Sequence, residues 1–174
     1  MDKASFVRAM LFPALILLGF IGYNYYTLNT GQEILLKTAP VDPRDIFRGD
    51  YVNLRYDIST IDLSNISSDG YFNYGDNIFA VLRKGDKFWD VRNIMNYRPS
   101  LQDNEVCIKG VVTNRFNNNL IVTWGIESYF VPEGKGMEIE RDIRNVSVKV
   151  SVDRTCRALI KELYINENPV IFSK

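Results

Sequence analysis

The apolar positions change their period near residue 30. From residue 9 to residue 28 no side chain carries a formal charge, and A-M-L-F-P-A-L-I-L-L-G-F-I-G-Y is apolar on every face. Twenty helical residues rise about 30 Å, one hydrocarbon core. Tyr23, Tyr25 and Tyr26 collect at the far end, where rings favour a membrane interface. Pro13 falls in the first turns of this helix, where it is best tolerated. Residues 27–32 read as a short linker.

Beyond the linker the period falls to two. Residues 33–37 form a brief first strand. In residues 51–59, Val52, Leu54, Tyr56 and Ile58 share one face, and Tyr51, Asn53, Arg55 and Asp57 share the other, the pattern of a half-buried strand. Residues 77–84 and 87–94 flank Gly85-Asp86, a two-residue turn of the II′ type. Residues 105–116 and 120–125 flank three asparagines, which tolerate left-handed backbone, and make a second hairpin. Residues 125–131, 146–152 and 155–165 supply further strands, and residues 170–172 are placed to close the sheet. The stretches 62–75 and 97–104 read as loops. Residues 133–145 lose the period of two, and Met137, Ile139 and Ile143 there suggest a short helix.

These elements predict a mainly β protein. A single N-terminal transmembrane helix precedes one antiparallel β-sandwich or barrel-like domain with a short helix. The divisions are an anchor over 1–28, a linker and first strand over 29–39, and a β-rich domain over 40–174. A cleaved signal peptide is the competing reading of the N-terminus. It needs small residues at its end, and Gly22-Tyr23-Asn24-Tyr25-Tyr26 is too bulky. Lys3 and Arg8 precede the span, and no basic residue follows it before Lys37. The positive-inside rule therefore puts the N-terminus in the cytoplasm and the domain outside, on a single-pass protein of the inner (cytoplasmic) membrane.

Composition narrows the function classes. A hydrophobic share of 46% supports a packed core rather than a disordered chain. Removing Lys3, Arg8 and Asp2 with the anchor turns a balanced 21 and 21 charges into a net of −1, so nucleic acid is not an expected partner. Histidine is absent, which excludes Ser-His-Asp and Cys-His catalysis and imidazole zinc sites, though not two-carboxylate or serine-lysine chemistry. Cys107 and Cys156 would close a long loop in an oxidising periplasm; two separate thiols, at least one buried, are the simpler reading. Alternation points Cys107 away from Val106 and Ile108, and sets Cys156 on a strand face with Ala158 and Ile160.

The densest chemistry lies in residues 40–59, P-V-D-P-R-D-I-F-R-G-D-Y-V-N-L-R-Y-D-I-S. Arg44, Asp45, Arg48 and Asp50 precede the strand and, with Tyr51, form the candidate binding set. The arginines could clamp a carboxylate or phosphate; equally, Asp50 could cap a turn or pair with Arg48, and Tyr51 could simply pack. Gly49, Asp50, Tyr51, Leu54 and Tyr56 spell G-D-Y-x-x-L-x-Y. With G-I-E-S-Y-F-V-P-E-G over residues 125–134 and the Ile139-Glu140 pair, the chain resembles the bacterial GDYXXLXY family of membrane-anchored envelope proteins. That resemblance implies a multi-pass membrane protein as a partner and supplies no catalytic residues.

The alternative is a hydrolase of envelope glycan or peptide, with Asp50 and Glu127 or Glu133 as acid and base. The plainer reading of Glu127, Glu133 and Glu140 is a salt bridge between the two motif blocks, or a solvent face. No metal site is expected, because arginines, Arg44 and Arg48, interleave Asp42, Asp45 and Asp50. No cofactor is implied. A binding or accessory module is the favoured expectation.

Overall fold

The computed structural model describes residues 3–39, 51–132 and 146–170. Its one long helix, α1 (Lys3–Thr30), is about 42 Å at 1.5 Å per residue. Within it, Ala9–Thr30 is long and apolar enough to cross a membrane, and its apolar 18-residue window has no buried residue. Two expectations change here. Pro13 lies well inside the helix rather than in its first turns, and a bundle or bilayer context is where such a proline is tolerated. Residues 27–32 are not a linker: the helix runs to Thr30, and β1 (Gln32–Ala39) starts after Gly31 alone.

The strands that follow are β2 (Tyr51–Asn53), β3 (Arg55–Tyr56), β4 (Thr60–Asp62), β5 (Ser67–Ser68), β6 (Asn77–Lys84), β7 (Trp89–Met95) and β8 (Glu105–Phe116). After them come β9 (Asn119–Thr123), β10 (Ser128–Phe130), β11 (Val146–Val152), β12 (Ala158–Ile165) and β13 (Asn168–Pro169). One sheet has the order β13-β12-β11-β1-β3, a second β4-β9-β8-β6-β7-β5, and β10 pairs with β2 alone. All of these pairings are antiparallel except β5 with β7. The fold is mainly β, with antiparallel sheets and a sheet curled into a half barrel.

The sheets share one core, because their inward faces are apolar at every second position. Ile34 and Leu36 of β1, Val148 and Val150 of β11, Ile78 and Leu82 of β6, and Ile108 and Val112 of β8 are all buried in it. The signature stretch puts Val52, Leu54, Tyr56 and Ile58 inside, as alternation requires. It is not one strand, however: it breaks at Leu54 and ends in a 3-10 turn, Asp57–Ser59. The first hairpin is also longer-turned than expected. Lys84 pairs with Trp89, and the Gly85 N–H donates to the Phe88 carbonyl, so four residues turn the chain. Trp89 is thereby drawn into the core. The second hairpin turns on Asn117 and Asn118, with Asn117 left-handed (φ 53°). The expected loop at 62–75 holds β5, and the strand expected over 125–131 shortens to β10. The expected helix at 133–145 and the closing residues 171–172 lie outside the described residues.

The thiols are not separate. Cys107 of β8 and Cys156 of the β11–β12 turn form a disulfide with Cα atoms 4.9 Å apart. Cys107 does point away from the shared core, yet it is buried, because that turn covers the outer face of β8. Cys156 sits before the strand, left-handed (φ 67°), and not on a strand face. The bond ties the two sheets together, and the Lys109 N–H donating to the Cys156 carbonyl (2.7 Å) adds to it.

The same turn grips α1. Tyr23 donates to Asp153 Oδ2 (2.7 Å), Arg157 Nη2 donates to Asn24 Oδ1 (2.8 Å), and the Arg157 guanidinium lies 5.2 Å from the Tyr23 ring centre. Ser151 Oγ donates to the Thr27 carbonyl (2.6 Å), and Thr27 is fully buried. Gly31 makes the close approach possible: a Cβ there would fall 2.3 Å from Ser151 Oγ and 2.9 Å from the Val152 carbonyl oxygen. The domain is therefore clamped to the helix end rather than tethered to it.

Candidate functional site

The two signature blocks meet. Antiparallel pairing sets Tyr51 opposite Phe130, Val52 opposite Tyr129 and Asn53 opposite Ser128. The Leu54 N–H continues the pairing by donating to the Glu127 carbonyl (2.6 Å). Two residues on, the Tyr56 hydroxyl, fully buried, donates to the Ile126 carbonyl (2.6 Å). Burial, and then the charge of Glu127, push this phenol well above its ordinary range, so it stays a donor. Leu54 and Tyr56 of the motif are thus core and anchor, which explains a leucine and a tyrosine two apart.

This pairing sits at the far end of the domain from α1. β1 starts beside the helix and runs eight residues, about 26 Å. Its last residue, Ala39, pairs with Arg55, and the chain from Arg55 back to Tyr51 continues past that end. The described chain leaves at Ala39 and returns at Tyr51, so both flanks of the candidate binding residues are there. Arg44, Asp45, Arg48 and Asp50 themselves lie outside the described residues. Tyr51 is described by its backbone in β2.

Of the expected carboxylates, Glu127 alone is described; Glu133 and Glu140 lie outside the described residues. The Glu127 oxygens accept the backbone N–H groups of Trp124 and Gly125, the latter at 2.9 Å. Gly125 takes φ +79°, a conformation cheap only for glycine. Glu127 therefore caps the sharp turn that delivers β10 to β2. It makes no ion pair with a described residue, and Arg44 and Arg48, the expected partners of an inter-block salt bridge, lie outside the described residues. An acid already holding two backbone donors is poorly placed to exchange protons with a substrate.

Sequence reasoning missed a second feature, a cleft of about 420 Å³ between the first sheet and the β6–β7 turn. Leu35, Lys84, Lys87, Trp89, Lys149 and Tyr164 line it. Ion pairs cross its rim: Lys87 with Glu167, and Lys37 with Asp57 (3.3 Å) beside it. Ser147 lines the cleft two residues before Lys149, the spacing that a serine-lysine arrangement on one strand face would need. Hydrogen bonds to Glu162 and Tyr164 raise the Lys149 ammonium above its ordinary value and hold it protonated, so it does not serve as a base. No signal in the sequence marks this cleft, because its walls come from five separate strands. Among the described residues no group of three acidic or sulfur ligands is disposed to hold a metal ion.

Comparison with known proteins agrees with the motif. The family described as GDYXXLXY protein matches residues 13–163, which takes in most of α1, both signature blocks and most of β12. No curated protein and no solved structure matches the chain.

Proposed function

This chain belongs to the GDYXXLXY protein family, and on that premise we propose that it is a membrane-anchored, extracytoplasmic binding or accessory module that engages another membrane or envelope component. The apolar length of α1 supports the anchoring. Lys3 and Arg8 ahead of the span, with the next basic residue at Lys37, support an inner-membrane protein whose domain faces away from the cytoplasm.

One observation carries the docking role. The β2–β10 pairing joins the two signature blocks at the end of the domain away from the helix. Structural needs account for Leu54, Tyr56 and Glu127 there, and the charged run Arg44 to Asp50 leads directly into this pairing in the sequence. Arginines beside acids suit recognition of a partner's carboxylates or phosphates. Brief crosslinking in the native membrane, mild-detergent purification and mass spectrometry test this. The expected result is a stoichiometric multi-pass membrane protein, lost on Arg48→Glu or Asp50→Lys while the domain stays folded. A protein recovered alone, or variants that unfold, would remove the reading. The hydrolase alternative finds no support in Glu127, which is occupied as a cap.

A further inference from the structure

The cleft between the first sheet and the β6–β7 turn has no part in the docking role of the signature end. Its floor is the face of the first sheet opposite to Leu36 and Val148. Ser147 and Lys149 of β11 stand at its centre. Pairing sets Lys37 and Leu35 beside them on β1, and Tyr164 and Glu162 beside them on β12. Cross-strand neighbours of this kind lie about 5 Å apart. Because β11 is paired on both sides, the centre of the floor offers side chains and not a strand edge. A ligand there is read by side chains, unlike a peptide that adds a strand.

Donors and acceptors are mixed over the walls. Lys84, Lys87 and Lys149 line the cleft together with Glu33 and Glu167. Lys161 holds Glu33 (2.6 Å), Lys87 holds Glu167, and Glu162 holds Lys149 (2.7 Å). Matched ions of this kind select neither an anion nor a cation. They suit hydroxyl groups, each of which accepts from an ammonium and donates to a carboxylate. Lys84 pairs with no acid among the described residues and keeps its donors for a ligand.

Ser147 is the sharper sign. It lines the cleft and is only 7% exposed, yet its hydroxyl makes no hydrogen bond among the described residues. A buried hydroxyl is costly unless a ligand or water meets it. Apolar surface lies between these polar groups. Leu35 and Tyr164 are half-buried, and Trp89 adds to the lining. The Tyr164 ring is fixed in place: its hydroxyl donates to Glu162, and the Lys149 ammonium lies 5.1 Å from the ring centre. A pyranose ring is built to match, with hydroxyls around its edge and C–H groups on its faces.

We propose that this cleft binds a neutral saccharide. Sugar hydroxyls meet Ser147, Lys84 and the Lys87–Glu167 pair, and a C–H face lies on Leu35 and Tyr164. The volume, about 420 Å³, is ordinary for a small-ligand cleft.

Full-length protein in phosphatidylcholine nanodiscs is titrated with chitotriose, cellotriose and maltotriose, followed by saturation-transfer difference NMR. Trialanine and glucose phosphate are titrated alongside. At least one neutral trisaccharide should bind saturably, with a Kd of about 1 mM or tighter, and tighter than the peptide or the sugar phosphate. Leu35→Trp, which fills the floor, should abolish that binding. Ser147→Ala removes only the hydroxyl and should weaken binding about fivefold. Amide exchange shows whether each variant is folded, and Ser147→Ala decides if Leu35→Trp is not. Three results overturn the proposal: no saturable binding of any of the sugars, tighter binding of trialanine or glucose phosphate, or an affinity unchanged in Ser147→Ala. None of them bears on the partner sought at the signature end.

Discussion

The two ends of the β domain are held by different forces. At the helix end, a disulfide, a carboxylate with five donors, a guanidinium over two rings and a buried hydroxyl all converge on one turn. Among the described residues of the signature end, a three-residue backbone ladder, a tyrosine hydroxyl and a glutamate cap hold the pairing, and Tyr129 and Phe130 make further interactions. The first end resists motion between α1 and the domain. The second joins two short strands, β2 and β10. The family signature thus names the end joined by backbone pairing, while the disulfide-linked end carries neither signature block.

The comparison can be broken most strongly at the disulfide. Its residues lie 49 apart, and opening a loop of that size removes about 4 kcal/mol of stability in the loop-entropy account. Cys107→Ser with Cys156→Ser should lower the denaturant midpoint of the full-length protein. Amide exchange should rise at residues 153–157 and not at 51–56. Equal loosening of both ends would show that they are one unit.

A smaller effect of the same kind is expected at Gly31. A side chain there meets backbone oxygens of Thr27 and Val152, and overpacking of this sort costs roughly 1–3 kcal/mol. Gly31→Val should separate the helix end from β11, read as faster exchange at Ser151 with the β2–β10 pairing intact. The converse change is Tyr56→Phe. It leaves the Ile126 carbonyl buried and unpartnered, which costs about 1–3 kcal/mol. Exchange should then rise at residues 126–130 and leave the helix end unaffected. Glu127→Ala is expected to be milder, about 1 kcal/mol, by analogy with a lost helix cap.

The subtlest difference is in pH. Partial burial raises the Asp153 carboxyl, but Thr155, Tyr23 and the Arg157 and Thr155 N–H groups outweigh it, and the acid sits below its ordinary value. A lowered folded pKa means the clamp is complete above the unfolded value, about 3.9, and weakens as pH falls through the folded one. Exchange at residues 153–157 should therefore rise on acidification from about pH 4 downwards. Asp153→Asn should remove that component and loosen the clamp at neutral pH.

Much of this arrangement is legible in residue order. The period of two marks β6, β8 and β11 nearly to the residue, and it names Val52, Leu54, Tyr56 and Ile58 as the inner face. What it missed follows from contacts between distant segments. Whether residues 85–88 turn in two residues or four depends on Trp89 reaching the core. Whether Cys107 is buried depends on the β11–β12 turn covering its face. The run Asp153-Arg154-Thr155 between two alternating stretches was a turn signal, since Asp accepts the N–H two residues on, but nothing local links it to Tyr23, 130 residues earlier. The role of Glu127 was missed for the opposite reason. Its partners are its near neighbours, and a chemical motif was sought across the fold instead.

The sequence alone determined the long apolar helix, the β class, the family and the inner face of the signature strand, because each depends on local period, hydropathy or a contiguous motif. The tertiary structure alone decided the disulfide, the clamp on α1, the cleft and the meeting of the two signature blocks. Each of these brings together residues far apart in the chain, and no one-dimensional pattern records which surfaces will pack.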